Sequence, residues 1–204
     1  MLKKIVIIGP ESTGKSSLCK KLAEYFKTVH VDEFARQYLI ANGTDYTYGE
    51  LLTIAKGQIN LEEEVIGTLI TDYRLPTTEK PRIPNSKPQT SNSKLQTSNP
   101  KPLFIDTDMY VMKVWCEFVF NKCHQWILDK IVERQYDLYL LCDIDLPWVK
   151  DELREYPDIE SRKKLYDYYE DALINQAVPW VKISGNYEER FLTAIKAVSV
   201  LLQK

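Results

Sequence analysis

The sequence predicts an α/β fold, a five-stranded parallel sheet with helices on both faces, and three observations lead to it. Short apolar runs at 3–8, 28–31, 103–105, 138–142 and 180–183 alternate with segments of helical periodicity. The first run, Ile5-Val6-Ile7-Ile8, enters GPESTGKSSL (9–18), which carries the pattern GxxxxGK[ST] between a strand and a helix, the context that gives the pattern its meaning. Three runs also end in acid: Val31 precedes Asp32 and Glu33, Ile105 precedes Asp106 and Asp108, and Cys142 precedes Asp143 and Asp145. Open α/β sheets bind ligands beyond the carboxyl ends of their strands, so these carboxylates are expected on the edge that carries the glycine-rich loop.

In chain order, the 3–8 run is apolar on both faces, as a central parallel strand must be. After the loop, Leu18, Leu22 and Phe26 recur at helical spacing, and after the 28–31 strand a long amphipathic stretch carries Leu51, Leu52, Ala55, Ile59, Val65, Ile66 and Leu69. Residues 74–102 break the pattern. They hold six of the ten prolines, three large aliphatics and the near-repeat SKPQTSN/SKLQTSN, too little apolar surface to offset ordering entropy. A disordered low-complexity insertion is expected there. Its six basic residues against Glu79 leave a tether to a nucleic acid or partner as the alternative. Beyond the 103–105 strand, helices are expected at 111–121, 124–134, 147–155, 161–175 and 188–202.

A chain of 204 residues is expected to be one domain, large enough for its own core. The net charge of −2 gives no general attraction to nucleic acid or an anionic membrane, so affinity for phosphate has to be local. The four cysteines form no C-x-x-C pair, and two histidines cannot complete a zinc site by spacing. No signal-peptide core follows Met-Leu-Lys-Lys, and no run reaches the ~18 apolar residues of a membrane span. A cytoplasmic compartment is the expectation.

In the loop, Gly9 and Gly14 permit the tight turn, and the backbone N–H groups from Ser12 to Ser16 are expected to face phosphate oxygens at a helix N-terminus. Lys15 is placed to neutralise the β and γ phosphates, and Ser16 to offer its hydroxyl to Mg²⁺. The run 103–106 is a candidate Walker B strand whose Asp106 holds the magnesium shell. GTPases are disfavoured because DxxG is absent, and transport ATPases because LSGGQ is absent. A phosphoryl-transfer kinase or a small ATPase remains. Kinases of this kind need an arginine-bearing lid, and 148–162, with Arg154 and Arg162, fits a helical lid.

Together GPESTGKSS, EFAR (33–36), FIDTD (104–108) and WVKDELR (148–154) resemble, in the same order, segments of the ribosylnicotinamide kinase domain of the NadR proteins. The resemblance covers nearly the whole chain except 74–102, and Glu11 and Ser12 carry more of it than the Walker pattern does. It implies a P-loop NTPase/kinase fold and ATP- and Mg²⁺-dependent phosphorylation of the 5'-hydroxyl of nicotinamide riboside to nicotinamide mononucleotide, with a small-molecule substrate and neither nucleic acid nor membrane as partner. The nucleotide set is then Gly9, Glu11, Ser12, Thr13, Gly14, Lys15, Ser16 and Ser17, with Arg162 from the lid and Gly185 from the turn after the last strand. No HxGH signature exists and the loop begins at residue 9, so neither adenylyl transfer nor DNA regulation is expected.

The attacking hydroxyl needs an orienting acceptor, and Glu33 is the first candidate, with Arg36 about one helical turn on. Asp108 is the other candidate, or a ribose-hydroxyl acceptor, and Asp32 is the third. Thr107 is in reach of either main acid. A pyridinium ring suits an aromatic face, for which Tyr38, Tyr110 and Trp115 are candidates. The 184–186 turn reads equally well as a contact for adenine or as a helix cap. A kinase for another nucleoside or small alcohol, and a nucleotide-dependent regulatory ATPase, are the rival functions.

Overall fold

The computed structural model describes residues 2–74 and 101–203. The elements are β1 (Lys3–Ile8), α1 (Lys15–Tyr25), β2 (His30–Val31), α2 (Phe34–Asn42), α3 (Tyr48–Arg74), β3 (Pro102–Asp106), α4 (Met109–Phe120), α5 (Gln125–Glu133), β4 (Leu138–Cys142), α6 (Ile159–Ile174), β5 (Trp180–Ile183) and α7 (Tyr187–Leu202). All strand pairs are parallel, in the order β2-β3-β1-β4-β5. With β1 in the centre, the chain leaves it toward β3 on one side and β4 on the other, and the crevice opens at their carboxyl ends.

Side chains on β1 alternate with the period of two that a strand imposes. Ile5 and Ile7 pack with Phe104 and Leu140 under α1 and α7, through Leu18, Leu22, Ala194 and Val198. Val6 and Ile8 face the other way, with Ile105 and Leu141, onto Val114 of α4 and Leu165 and Tyr169 of α6. A third cluster, with Leu51, Ile54, Met112 and Ile127, packs α2, α3, α4 and α5 together beside the sheet. Both faces of the sheet are therefore covered, as its apolar strands require.

Three boundaries differ from the sequence expectation. The second strand shrinks to His30–Val31, because Lys27 adopts φ 52° and the Thr28 N–H returns to the Ala23 carbonyl. Pro102, placed by composition in the insertion, is the first residue of β3 and pairs with Lys3, a strand-initial position where a missing N–H is tolerated. The helix expected at 147–155 does not form. Pro147–Tyr156 is a loop, α6 starts only after Asp158 caps it through the Ser161 N–H at 2.7 Å, and the lid is an irregular strap rather than a helix. The insertion expected at 74–102 lies, apart from Arg74, Lys101 and Pro102, outside the described residues. Among the described residues, no helix is long and apolar enough to cross a membrane.

Candidate active site

The glycine-rich loop joins β1 to α1, and its glycines are obligatory where the backbone demands them. Gly9 has φ 138° and a Cβ there would lie 2.6 Å from the Cys142 carbonyl oxygen, while Gly14 has φ 78° at the N-cap of α1. The Thr13 hydroxyl and the Lys15 ammonium both donate to the Pro10 carbonyl, at 2.7 and 2.8 Å, which closes the loop into a ring. Arg190, 3% exposed, braces it from behind: Nη1 donates to the Thr13 carbonyl at 3.0 Å, Nη2 to the Asp143 carbonyl at 2.9 Å and to the Asp145 carboxylate, and Nε to the Gly185 carbonyl at 2.8 Å. One side chain thus ties the loop after β1 to those after β4 and β5.

In front of the loop lies a cavity of about 230 Å³ lined by the turn after β2, by α2, α4 and α6, and by the 147–158 loop. Asp106, at the end of β3, is buried, and its carboxyl is raised to about 7, first by burial and then by Glu33, against Lys15 and Ser16, which lower it. Its Oδ1 has no hydrogen-bond partner among the described residues. A buried, unpartnered carboxylate oxygen next to the loop serine and lysine suits a divalent cation, which would relieve the desolvated charge. Glu33 lines the cavity, and its Oε1 accepts from the Thr107 hydroxyl at 3.3 Å. Thr107 adopts φ 80°, a conformation costly for a β-branched residue. Gln58, buried on α3, holds these ends in place by accepting from the Phe34 N–H at 2.8 Å and donating to the Asp32 and Asp106 carbonyls at 3.2 and 3.4 Å.

The cavity's far wall is aromatic and assembled from separate elements: Trp115 and Phe118 of α4, Tyr156 of the loop and Tyr169 of α6. Trp115 Nε1 donates to the Tyr46 hydroxyl at 2.7 Å, and that hydroxyl donates to Glu155 Oε2 at 2.9 Å. Partial burial raises the Glu155 carboxyl. Arg36 and Arg154 complete the rim: Arg36 forms a double contact with Asp151 at 3.3 and 3.2 Å, and Arg154 donates to the Val149 carbonyl.

The fold separates the expected site residues into two groups. Lys15, Ser16, Ser17, Asp106, Glu33, Arg36, Arg154 and Trp115 meet at the loop and its cavity. Asp108, two residues from Asp106, is turned away: its Oδ1 caps α4 by accepting from the Tyr110 and Val111 N–H groups at 3.0 and 3.4 Å, and its Oδ2 accepts from the Tyr139 hydroxyl at 2.9 Å. With both oxygens engaged in the interior, Asp108 is a helix cap rather than a group facing the acceptor, and burial raises its carboxyl to about 7. Tyr110 follows it inward, edge-on to Tyr139 at 5.7 Å, and Tyr38 donates its hydroxyl to Glu50 at 3.3 Å. Asp32 points outward to Lys20 and His30 at 3.4 and 3.3 Å. Arg162 is buried behind the loop that follows β4, donating to the Ile144 and Leu146 carbonyls at 3.3 and 3.2 Å. Gly185 gives its N–H to Asp145 at 2.5 Å, so that donor is not left for a base, its carbonyl accepts from Arg190, and Asn186 beside it caps α7 in a capping box with Glu189. Thr13 is buried in the ring of the loop, while the Glu11 carboxylate and the Ser12 hydroxyl turn toward the 147–158 loop. Sequence reasoning missed Arg190, Gln58, Phe118, Glu155, Tyr156 and Tyr169. Only Glu155 and Tyr156 lay in a segment already singled out, and the others carry no local motif.

An all-parallel sheet in this order, with a phosphate loop after its central strand and a carboxylate at the end of the neighbouring one, defines a nucleotide-binding P-loop kinase fold. The AAA domain family matches residues 4–190, and the chain belongs to that family. It is 25% identical, over 98% of its length, to the trifunctional NAD biosynthesis/regulator protein NadR of Escherichia coli K12, and also to that of Salmonella typhimurium LT2. The match covers 43% of each, so the chain spans less than half the length of these relatives. A crystal structure of NadR in complex with NR is similar at a TM-score of 0.72 and 20% identity, over 99% of this chain and 50% of that one. Thymidylate kinase from Ehrlichia chaffeensis is similar at 0.60 and 13% identity, over 97% and 98% of the two chains.

Proposed function

We propose that this protein transfers the γ-phosphoryl group of ATP to the 5'-hydroxyl of nicotinamide riboside. The observation that carries the reading is Glu33: a carboxylate held by Thr107 lines the same cavity as Lys15, opposite an aromatic wall. Lys15 neutralises charge on the transferring group, and the loop's N–H groups hold the β-phosphate at the N-terminus of α1. Ser16 and Asp106 would hold Mg²⁺, which would offset the negative charge of the phosphates. A slot between Gly14, Ser17 and Lys21 on one side and Leu146 and Tyr187 on the other suits the adenine.

On the acceptor side Glu33 orients the hydroxyl and takes its proton as the bond from the hydroxyl oxygen to the γ-phosphorus forms and the bond from that phosphorus to the β,γ-bridging oxygen breaks, releasing ADP. Arg154 approaches the transferred group from the strap. The rings of Trp115, Phe118, Tyr156 and Tyr169 supply faces for a cationic pyridinium, and Glu33 and Glu155 supply compensating negative charge. The same balance disfavours an acceptor that already carries a phosphate, because Asp151 already engages Arg36. The similarity to NadR and to the NR-bound structure supports this choice of acceptor.

The test is an ADP-release assay over nucleosides and nucleoside monophosphates, with nicotinamide riboside included. Turnover is expected to be highest with the riboside and at background with thymidine monophosphate. Preference for another nucleoside would move the assignment to that acceptor, and ADP release independent of any acceptor would favour a regulatory ATPase.

A further inference from the structure

A glutamate inside an anion-binding loop is a physical anomaly. Its charge stands beside the position of a polyphosphate and repels it, about as strongly as a loop lysine attracts it at equal distance. Glu11 is that residue, and its carboxylate is turned away from the N–H groups of its own loop. Oε1 accepts from Trp148 Nε1 at 3.2 Å and from the Tyr156 N–H at 2.7 Å, and Oε2 accepts from the Glu155 N–H at 2.9 Å. Ser12 acts alongside, its Oγ accepting from the Val149 N–H at 2.9 Å. Two adjacent phosphate-loop residues thus receive three backbone N–H groups and one indole N–H from a single segment. These bonds also account for the helix that does not form: the donors at 155 and 156, which a helix would give to carbonyls one turn back, go to a side chain from across the crevice.

We infer that Glu11 is a latch, a positioning residue that holds the 147–158 strap against the phosphate loop and thereby forms the wall of the acceptor cavity. The strap contributes Leu153, Arg154, Glu155 and Tyr156 to that wall, and it is also attached through the Ser12–Val149 bond, the Tyr46–Glu155 bond and the pair that Arg36 of α2 forms with Asp151. The carboxylate is the required group for a stereochemical reason. It has two acceptor oxygens facing three donors, whereas the amide of glutamine must present N–H to at least one of them in either orientation. Because Glu11 belongs to the phosphate loop but its carboxylate faces the strap, loosening the strap reduces affinity for the acceptor and leaves the loop's own backbone contacts with the nucleotide intact. This consequence for the acceptor rests on the kinase reading above, but the latch itself does not.

The experiment compares wild-type protein with Glu11→Gln and Trp148→Phe in two measurements. Amide hydrogen exchange, which needs no acceptor, should show protection at Glu155 and Tyr156 falling at least tenfold in Glu11→Gln, with β1 and β4 unchanged. Steady-state kinetics should show the KM for nicotinamide riboside rising at least tenfold while the KM for ATP stays within threefold. Trp148→Phe, which removes one donor of three, should shift both in the same direction by a smaller factor, and it carries the test should Glu11→Gln fail to fold. Unchanged protection at 155 and 156 in either folded variant overturns the latch, as does a KM for ATP that rises in step with that for the riboside. Lack of turnover with the riboside in the wild-type protein overturns the acceptor assignment alone, since the exchange result stands without it.

Discussion

The two sides of the cavity that the proposed function gives to nucleotide and to acceptor are built on opposite plans. The first is eight consecutive residues whose backbone supplies the donors, closed on itself through Pro10 and braced by Arg190. The second is assembled from α2, α4, α6, the Glu33 turn and the 147–158 strap, and depends on side chains that meet only when the chain has folded. A contiguous backbone site is insensitive to most substitutions and sensitive to a few. A site made of distant side chains tolerates loss of any single wall residue better, and its specificity drifts when one of them moves.

The largest effect expected from this contrast is at Lys15. Lys15→Ala should lower kcat by about 10³-fold or more, because charge on the transferring group goes uncompensated. Thermal unfolding should be nearly unchanged, since what the substitution takes from the fold is a hydrogen bond to the Pro10 carbonyl, which Thr13 also engages. Near-normal turnover would take the loop out of the mechanism. Next is Glu33→Gln, expected to lower kcat by roughly 10²-fold or more while ATP binding, followed by titration, is retained. Thr107→Val should reproduce part of that loss, roughly tenfold, and Thr107→Ser should restore it, if the hydroxyl is what positions Glu33.

Asp108 sharpens the comparison because it differs from Asp106 in partners and not in burial. Asp108→Ala removes a cap and leaves the Tyr139 hydroxyl unpaired, a loss of about 2 kcal/mol and roughly 4–8 °C in Tm. Turnover measured well below that Tm should remain within a few-fold of normal. A kcat defect matching that of Glu33→Gln, without loss of stability, would return Asp108 to the acceptor side.

The smallest effect is one of pH. Burial raises the Asp106 carboxyl from its ordinary 3.8 to about 7, so in the folded, ligand-free protein it holds its proton longer than in the unfolded chain. Its contribution to stability is therefore complete below about pH 4 and is lost as the pH rises toward 7. Asp106→Asn should raise the Tm of the ligand-free protein by a few degrees at pH 8 and by little at pH 5. Magnesium affinity of the unmutated protein should increase over the same interval, because the carboxylate must be deprotonated to bind the ion. A pH-independent difference in Tm would show that burial does not hold the carboxyl up.

Local chemistry determined a good deal of this protein from sequence alone. Ile5 to Ile8 had to be a buried strand because both of its faces are apolar, and GPESTGKSS had to be a turn into a helix because Gly9 and Gly14 take up positive φ angles without the strain a side chain would add. Lys15, Ser16 and Asp106 follow from that geometry, being adjacent to the loop or at the end of the neighbouring strand. Only the tertiary structure separates Glu33, which lines the cavity, from Asp108, which turns inward. Both follow a strand, and the cap that Asp108 gives Tyr110 and Val111 is local, but the Tyr139 hydroxyl that holds its other oxygen inward comes from β4, an arrangement no local pattern encodes. The strap shows the same limit: 147–155 has the charges and spacing of a helix, yet the Glu11 carboxylate, more than 130 residues earlier, takes its N–H groups. Propensity is a sum of tenths of a kcal/mol per residue, and three hydrogen bonds to a charged acceptor outweigh it.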